Sequence, residues 1–425
     1  MTHKARSPVQ DRRSRFRPLM LASCLLLGGL PFSTGCRWLS LIGQIDGGTE
    51  PDGGGSGGGS GGQAGDPMGT GGAPVATPVT TPHDPITSSS KVDLLFVIDD
   101  SVGMSPWQAK LRASLPGFMQ LLAQIPGGLP SLHVGVVSTS LGAGIYGNVP
   151  GCSPGTIGNL NGALQHPASC SALGPNEHFV KSIGGVNNFT SNIGDVVACL
   201  TNIGSNGCGF EHPFEATRLA LQRGNNPVDP DNGGFLRPDA FLAIVMLTNE
   251  DDCSVPSDSM LFDPNQQTLA DPLGGLQSYR CNEFGHWCDQ PLPHVATGLP
   301  ATLTNCRSAE DGKLVTVSEI FFFLKSLKPN PSQIFVAAIA GPSSPYTVQS
   351  HLFTLGTGAT EVQPQIAHSC TTVAATGIPD YADPAVRVGQ FVRAFGPNGV
   401  FETICADDFG PMMTRIATAL VGTGP

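Results

Sequence analysis

The chain has 425 residues, of which 55 are glycine and 37 proline, and a formal net charge of −11. That length gives room for one large domain plus segments without a core of their own. The negative charge is mild and spread along the chain. No basic stripe follows the N-terminal segment, so nucleic-acid binding has no electrostatic support.

Residues 1–36 read as a targeting segment. Lys4, Arg6, Arg12, Arg13, Arg15 and Arg17 form a basic start, and Pro18 to Phe32 an apolar core too short to span a bilayer. Ser33-Thr34-Gly35-Cys36 then resembles a bacterial lipoprotein signal, in which the cysteine is acylated and becomes the first residue. Leu21-Ala22-Ser23-Cys24 fits that consensus better at the third position before the cysteine, but leaves a much shorter apolar core. Cys36 is therefore the expected lipidation site; a plain cleaved signal and a retained anchor are the alternatives.

Residues 37–90 are expected to be a disordered tether. Gly/Ser repeats from Gly53 to Gly62 pass into a Pro/Thr-rich stretch from Ala73 to Ser90, flexible first and stiffer afterwards. Over roughly 45 of these residues a coil spans on the order of 35–40 Å, enough to hold a domain clear of a membrane.

Residues 91–425 alternate strands and helices. Val92 to Ile98 is apolar apart from Asp93, as in a strand buried on both faces of a parallel sheet. Ser105, Pro106 and Gln108 read as N-cap, first helical residue and capping-box partner of a helix to about Gln124. A strand is expected from His133 to Ser138, and helices near Asp195 to Ile203 and Glu211 to Arg223. A second buried strand follows from Phe241 to Leu247. Then come a helix from Leu314 to Leu327, a strand from Ile334 to Ala340 and a short helix near Val388 to Phe395. The chain closes with a strand from Val400 to Ile404 and a helix from about Phe409 to Val421. This order predicts an α/β fold with a doubly wound, mostly parallel sheet.

The strand ending at Ile98 runs into Asp99-Asp100-Ser101-Val102-Gly103 and then a helix. Oxygen ligands at the carboxyl end of a parallel strand sit where open α/β sheets bind their ligands. A strand entering D-x-S-x-S resembles the metal-ion-dependent adhesion site of von Willebrand factor type A domains. The resemblance implies a Rossmann-like type A fold with long disulfide-pinned insertions, here at about 140–190 and 250–311. It also implies a divalent cation (Mg2+, or Ca2+ or Mn2+) whose open position takes a carboxylate from a partner. Asp99 would be the anionic anchor, often through water, and Ser101 a direct hydroxyl ligand; Gly103 lacks the second hydroxyl. In the second loop, the position four residues before Glu215-Ala216 is Glu211 where the family has threonine. Glu211 either replaces the lost oxygen or is an acid favoured at a helix start. In the third loop Thr248-Asn249 stands for Thr-Asp, which keeps an oxygen and loses a charge. Asp99, Ser101, Glu211 and Asn249 are thus the expected metal ligands. Glu250, Asp251 and Asp252 just beyond read as a solvated structural loop.

Besides Cys24 and Cys36 there are ten cysteines, Cys152, Cys170, Cys199, Cys208, Cys253, Cys281, Cys288, Cys306, Cys370 and Cys405. An even set in an exported chain reads as up to five disulfides. Near-neighbour pairing suggests Cys152 with Cys170, Cys199 with Cys208, Cys281 with Cys288, Cys253 with Cys306 and Cys370 with Cys405. Zinc through Cys281, His286 and Cys288 is the rival, weakened by the absence of a C-x-x-C pair. Gly142 to Gly147 matches G-x-G-x-x-G with no helix behind it, so it does not read as a nucleotide site. Asp229 to Gly233 opens like a calcium loop but has Ala240 at the twelfth position, and reads as a turn.

The expectation is an exported, membrane-anchored bacterial lipoprotein, periplasmic or on the cell surface. It would be a non-enzymatic adhesion module that binds a protein or another cell-envelope macromolecule through the crest. The alternatives are a structural envelope protein that binds through its insertions, with a vestigial crest, and a hydrolase using Asp99 or the 250–252 acids.

Overall fold

The computed structural model describes residues 77–149, 151–152, 160–373 and 379–422. Cys36 and the Gly/Ser repeats lie outside the described residues.

In the first half, β1 (Lys91–Ile98) leads through α1 (Ser105–Ala123) into β2 (Ser131–Ser138). The first insertion adds β3 (Val180–Ile183) and β4 (Val186–Asn187), followed by α2 (Ile193–Leu200) and α3 (Pro213–Gly224). β5 (Phe241–Leu247) precedes a second insertion with α4 (Tyr279–Gly285), β6 (His286–Trp287), β7 (Ala301–Leu303) and β8 (Arg307–Ser308). Next are α5 (Val317–Ser326) and β9 (Ile334–Ala340), then β10 (Tyr346–Thr354) and β11 (Thr360–Ile366). β12 (Cys370–Val373), β13 (Pro379–Ala382), α6 (Val386–Ala394), β14 (Gly399–Thr403) and α7 (Gly410–Val421) complete the chain.

The central sheet has the order β14-β9-β5-β1-β2-β3-β4. The first five are parallel to their neighbours, and β3 and β4 are antiparallel additions on one edge. Chain order reverses direction between β1 and β5, since β2 pairs on one side of β1 and β5 on the other. That reversal opens a crevice beyond the carboxyl ends of both strands.

Strand periodicity assigns the layers. Leu94, Phe96 and Ile98 of β1 face a core with α1, α2 and α7, whereas Leu95 and Val97 face a second core with α3, α5 and α6. The central strands are apolar throughout because both faces are covered. Asp93, the one charge within β1's apolar run, is fully buried and held by Arg237, whose Nε donates to Oδ1 at 2.8 Å and whose backbone N donates to Oδ2 at 2.7 Å.

Several expectations need correction. Ser105 is the first helical residue of α1 and makes no capping bond; its hydroxyl meets Ser205 Oγ at 2.8 Å. Gln108 is no capping-box partner: its buried Nε2 donates to Asp99 O at 2.9 Å and Gly204 O at 2.7 Å. The folded domain begins before residue 91, because residues from 77 onward dock on it. Val79 N donates to Ala394 O, His83 N to Asn398 Oδ1 and Ile86 N to Val421 O, each at 2.9 Å. Two pairings, β10 with β11 and β12 with β13, occupy a region left unassigned between the strand at 334–340 and the helix near 388.

All ten cysteines after Cys36 are paired, as Cys152–Cys208, Cys170–Cys199, Cys253–Cys281, Cys288–Cys306 and Cys370–Cys405. Only the last follows the near-neighbour expectation. The first insertion folds back on the loop before α3, and the second on the loop after β5, so those partners are neighbours in space and not in sequence. Five disulfides mark a protein of an oxidising, extracytoplasmic compartment. Zinc is excluded at Cys281, His286 and Cys288, because both thiols are bridged and His286 Nε2 meets Asp251 Oδ2 at 2.8 Å. Among the described residues, no helix is long and apolar enough to cross a membrane.

Candidate functional site

Asp99 leaves β1 at the crevice, fully buried. Its Oδ1 accepts from Ser101 N at 2.8 Å and its Oδ2 from Thr248 Oγ1 at 2.9 Å. Asp99 N donates to Leu247 O at 2.9 Å, so the first and third loops are joined by backbone and side chain together. Burial holds the Asp99 carboxyl above the usual carboxylate range, against the pull of these bonds.

Ser101 is 3 % exposed, and its Oγ has no partner of hydrogen-bonding geometry. At Gly103 the backbone has φ +108° with open space where a Cβ would stand. The loop turns through a conformation that favours glycine, which accounts for the missing hydroxyl.

Glu211 lies just before α3 and is fully buried. Thr139 Oγ1 donates to its Oε2, while Oε1 has no partner. Burial pushes its carboxyl well up, with the charges of Asp99, Glu250 and Asp100 adding to the effect. The structure thus brings Glu211 into the Asp99 cluster. Asn249 follows Thr248: its Nδ2 donates to Tyr381 O at 3.2 Å, its backbone O accepts from Asp383 N at 2.8 Å, and its Oδ1 is buried without a partner.

In each of three loops an expected ligand therefore presents a buried, unpartnered oxygen: Ser101 Oγ, Glu211 Oε1 and Asn249 Oδ1. Such groups cost free energy unless something satisfies them, and an ion is one of the few explanations. Hydroxyl, carboxylate and amide oxygens are the donors a hard divalent cation takes. Among the described residues no three His, Cys, Asp or Glu side chains come together as a metal site. The set here differs in kind, since two of its three donors, the Ser101 hydroxyl and the Asn249 amide, are neutral oxygens.

Three acids outside the expected ligand set complete the crest, Asp100, Glu250 and Asp383. Asp100 is 1 % exposed; its Oδ1 accepts from Ser138 Oγ at 2.7 Å, its Oδ2 is unpartnered, and burial pushes its carboxyl up to about 7. Glu250 is also pushed well up by burial, with Asp383 and Asp99 beside it. The repeated acid at 99–100 was the sequence signal for Asp100; nothing local marks Asp383, which β13 delivers from a distance. A cleft of about 220 Å³ opens here, lined by Val102, Gly103, Asn249, Glu250, Tyr381 and Asp383 among others.

Asp251 and Asp252 are not solvated. Asp251 accepts from Arg387 N at 2.8 Å and Val388 N at 3.0 Å, at the start of α6. Asp252 pairs with the fully buried Arg387 at 3.0 Å and accepts from Phe214 N at 3.1 Å in the first turn of α3. Both acids are structural, and they anchor the loop that carries Asn249. His212, at the start of α3, has an imidazole lowered to about 4 by burial, with Nε2 against Gly142 O at 2.9 Å. The 142–147 glycines form a tight turn bridged between Ala143 and Tyr146. Asp229 and Asp231 both pair with Arg223, so the 229–233 segment is a turn.

No family model and no curated protein matches the chain. Solved structures overlap it loosely. The pilus adhesin SpaC from Lactobacillus rhamnosus GG (open conformation) does so at a TM-score of 0.33 and 12% identity, over 80% of this chain and 31% of that one. The conserved hypothetical protein BatB from Bacteroides thetaiotaomicron gives 0.30 and 9%, over 79% of this chain and 100% of that one. The pilus adhesin RrgA from Streptococcus pneumoniae gives 0.31 and 10%, over 79% and 45%. The chain thus spans less than half the length of the two pilus adhesins. Overlaps at this level define no family, and the functional reading rests on the crest itself.

Proposed function

We propose that the chain is a lipid-anchored, extracytoplasmic binding module of the von Willebrand type A kind, engaging a protein or other envelope macromolecule through its crest. Asp99, Ser101, Glu211 and Asn249 would hold a divalent cation there, magnesium or else manganese or calcium. When bound, that ion supplies an open coordination position to an acidic group of the partner. Asp99 anchors the first loop, and Ser101, Glu211 and Asn249 bring one oxygen from each of the three loops. The observation that carries the reading is the trio of buried oxygens without partners at the β1–β5 reversal. Acylation of Cys36, with the glycine-rich segment as tether, would place the module at a membrane.

Calorimetry of the purified exported chain with magnesium, manganese and calcium chloride tests the cation. Saturable heat lost in Asp99→Ala supports it; no heat and no thermal shift at millimolar cation removes it. Partner capture from intact cells by cross-linking tests the surface. Capture that survives Asp99→Ala moves the contact to the insertions.

A further inference from the structure

The end of β2 carries three hydroxyl residues in a row, Ser138, Thr139 and Ser140, all fully buried. Each grips a different part of the crest. Ser138 Oγ donates to Asp100 Oδ1 at 2.7 Å and accepts from Ser140 N at 2.9 Å. Thr139 Oγ1 donates to Glu211 Oε2, and Thr139 O accepts from His212 N at 3.1 Å. Ser140 Oγ accepts from Cys208 N at 2.8 Å, on the segment leading to Glu211. Thr139 N in turn donates to Ile98 O at 3.1 Å, which ties the run to the residue preceding Asp99.

We infer that this hydroxyl run is the positioning element of the crest, and that Thr139 is the residue that makes Glu211 available as a ligand. The inference rests on the cation reading above and adds to it a residue that touches no ion. A carboxylate has two oxygens and free rotation about its last bond. Thr139 engages one of them and leaves Oε1, alone of the pair, without a partner. The backbone on both sides of Glu211 is also fixed, by His212 N on Thr139 O and by Cys253 N on Glu211 O at 2.7 Å. An oxygen held in place before the ligand arrives loses less freedom on binding. A longer acid can thus stand where a short hydroxyl would otherwise reach the site.

The test compares Thr139→Val, Thr139→Ser and Glu211→Gln by calorimetry with magnesium and manganese chloride. Thr139→Val is expected to weaken binding at least tenfold and Thr139→Ser to restore it to within about threefold, as a hydroxyl-specific role requires. A second readout needs no metal: the infrared carboxyl band assigned to Glu211 by difference against Glu211→Gln. That band should move in Thr139→Val and return in Thr139→Ser. Unchanged binding and an unmoved band in Thr139→Val, with binding lost in Glu211→Gln, overturn the positioning role. A band that moves in a protein where no variant binds cation supports the positioning and removes the cation reading instead.

Discussion

Thr248 Oγ1 donates to Asp99 Oδ2 at 2.9 Å across the point where the sheet's chain order reverses. The same hydroxyl also meets Glu250 O at 3.0 Å and accepts from Glu250 N at 3.1 Å. One side chain therefore closes the turn after β5 and fixes the carboxylate after β1. Thr248→Val removes the hydroxyl that donates to the fully buried Asp99 Oδ2. The expected loss is about 1–3 kcal/mol in urea unfolding, with Thr248→Ser close to wild type. Equal stability of the Val and Ser variants would show that the hydroxyl is not what holds Asp99.

Arg387 is buried completely and serves both acids of the 251–252 pair, through its guanidinium to Asp252 and its backbone N to Asp251. Arg387→Met keeps the volume and strands the Asp252 charge in the interior. The expected cost is about 3–5 kcal/mol, and pairing the change with Asp252→Asn should recover a large part of it. Urea unfolding of the two single variants and the double variant forms the cycle that decides this. Additive losses would mean that the pair does not act as a unit.

How much of this was legible depends on where each residue's partners lie. Phe241 to Leu247 and Ile334 to Ala340 are read to the residue, because a strand covered on both faces announces itself as an unbroken apolar run. Asp99, Ser101, Glu211 and Asn249 could be placed on loops by counting from those strands and from α3. The burial of Asp252 was not legible, since its cation stands 135 residues further along the chain. The β10–β11 pair escaped notice because its buried, half-buried and exposed side chains follow no regular alternation. Four disulfides were mispaired for the same reason as Asp252: proximity in sequence is a poor guide inside folded insertions.

Asp100 sets a pH dependence. Its carboxyl is pushed up to about 7, chiefly by burial, against an unfolded value of 3.8. A carboxyl that holds its proton more tightly in the folded chain stabilises the fold fully below its unfolded pKa. That contribution drains away as pH rises from there through about 7. In the presence of chelator, the thermal midpoint of wild type should therefore carry a downward component from about pH 4 to about pH 7 that Asp100→Asn lacks. Asparagine keeps an acceptor for Ser138 Oγ, so the comparison isolates the charge. Parallel midpoint curves for the two proteins would contradict the assignment.

Two disulfides of the second insertion should differ in what their loss does. Cys253–Cys281 closes on the loop that follows Asn249 and Glu250, and Cys253 N donates to Glu211 O at 2.7 Å. Cys288–Cys306 staples the far side of the same insertion, where Cys288 and Cys306 pack beside Leu292 and Leu299. Removing either bridge by paired Cys→Ala changes is expected to cost about 2–5 kcal/mol, since each constrains the unfolded chain. Only the first bears on the crest. Loss of Cys253–Cys281 frees the backbone between the second and third loops, so manganese affinity should fall well beyond what instability alone explains. Loss of Cys288–Cys306 should lower the unfolding midpoint and leave manganese affinity within about twofold, because it leaves the crest's preorganisation intact. Calorimetry with manganese chloride, at a temperature where both double variants remain folded, separates the two. Equal loss of affinity in both would mean that the insertion supports the crest as a whole body, and not through the one bridge beside Glu211.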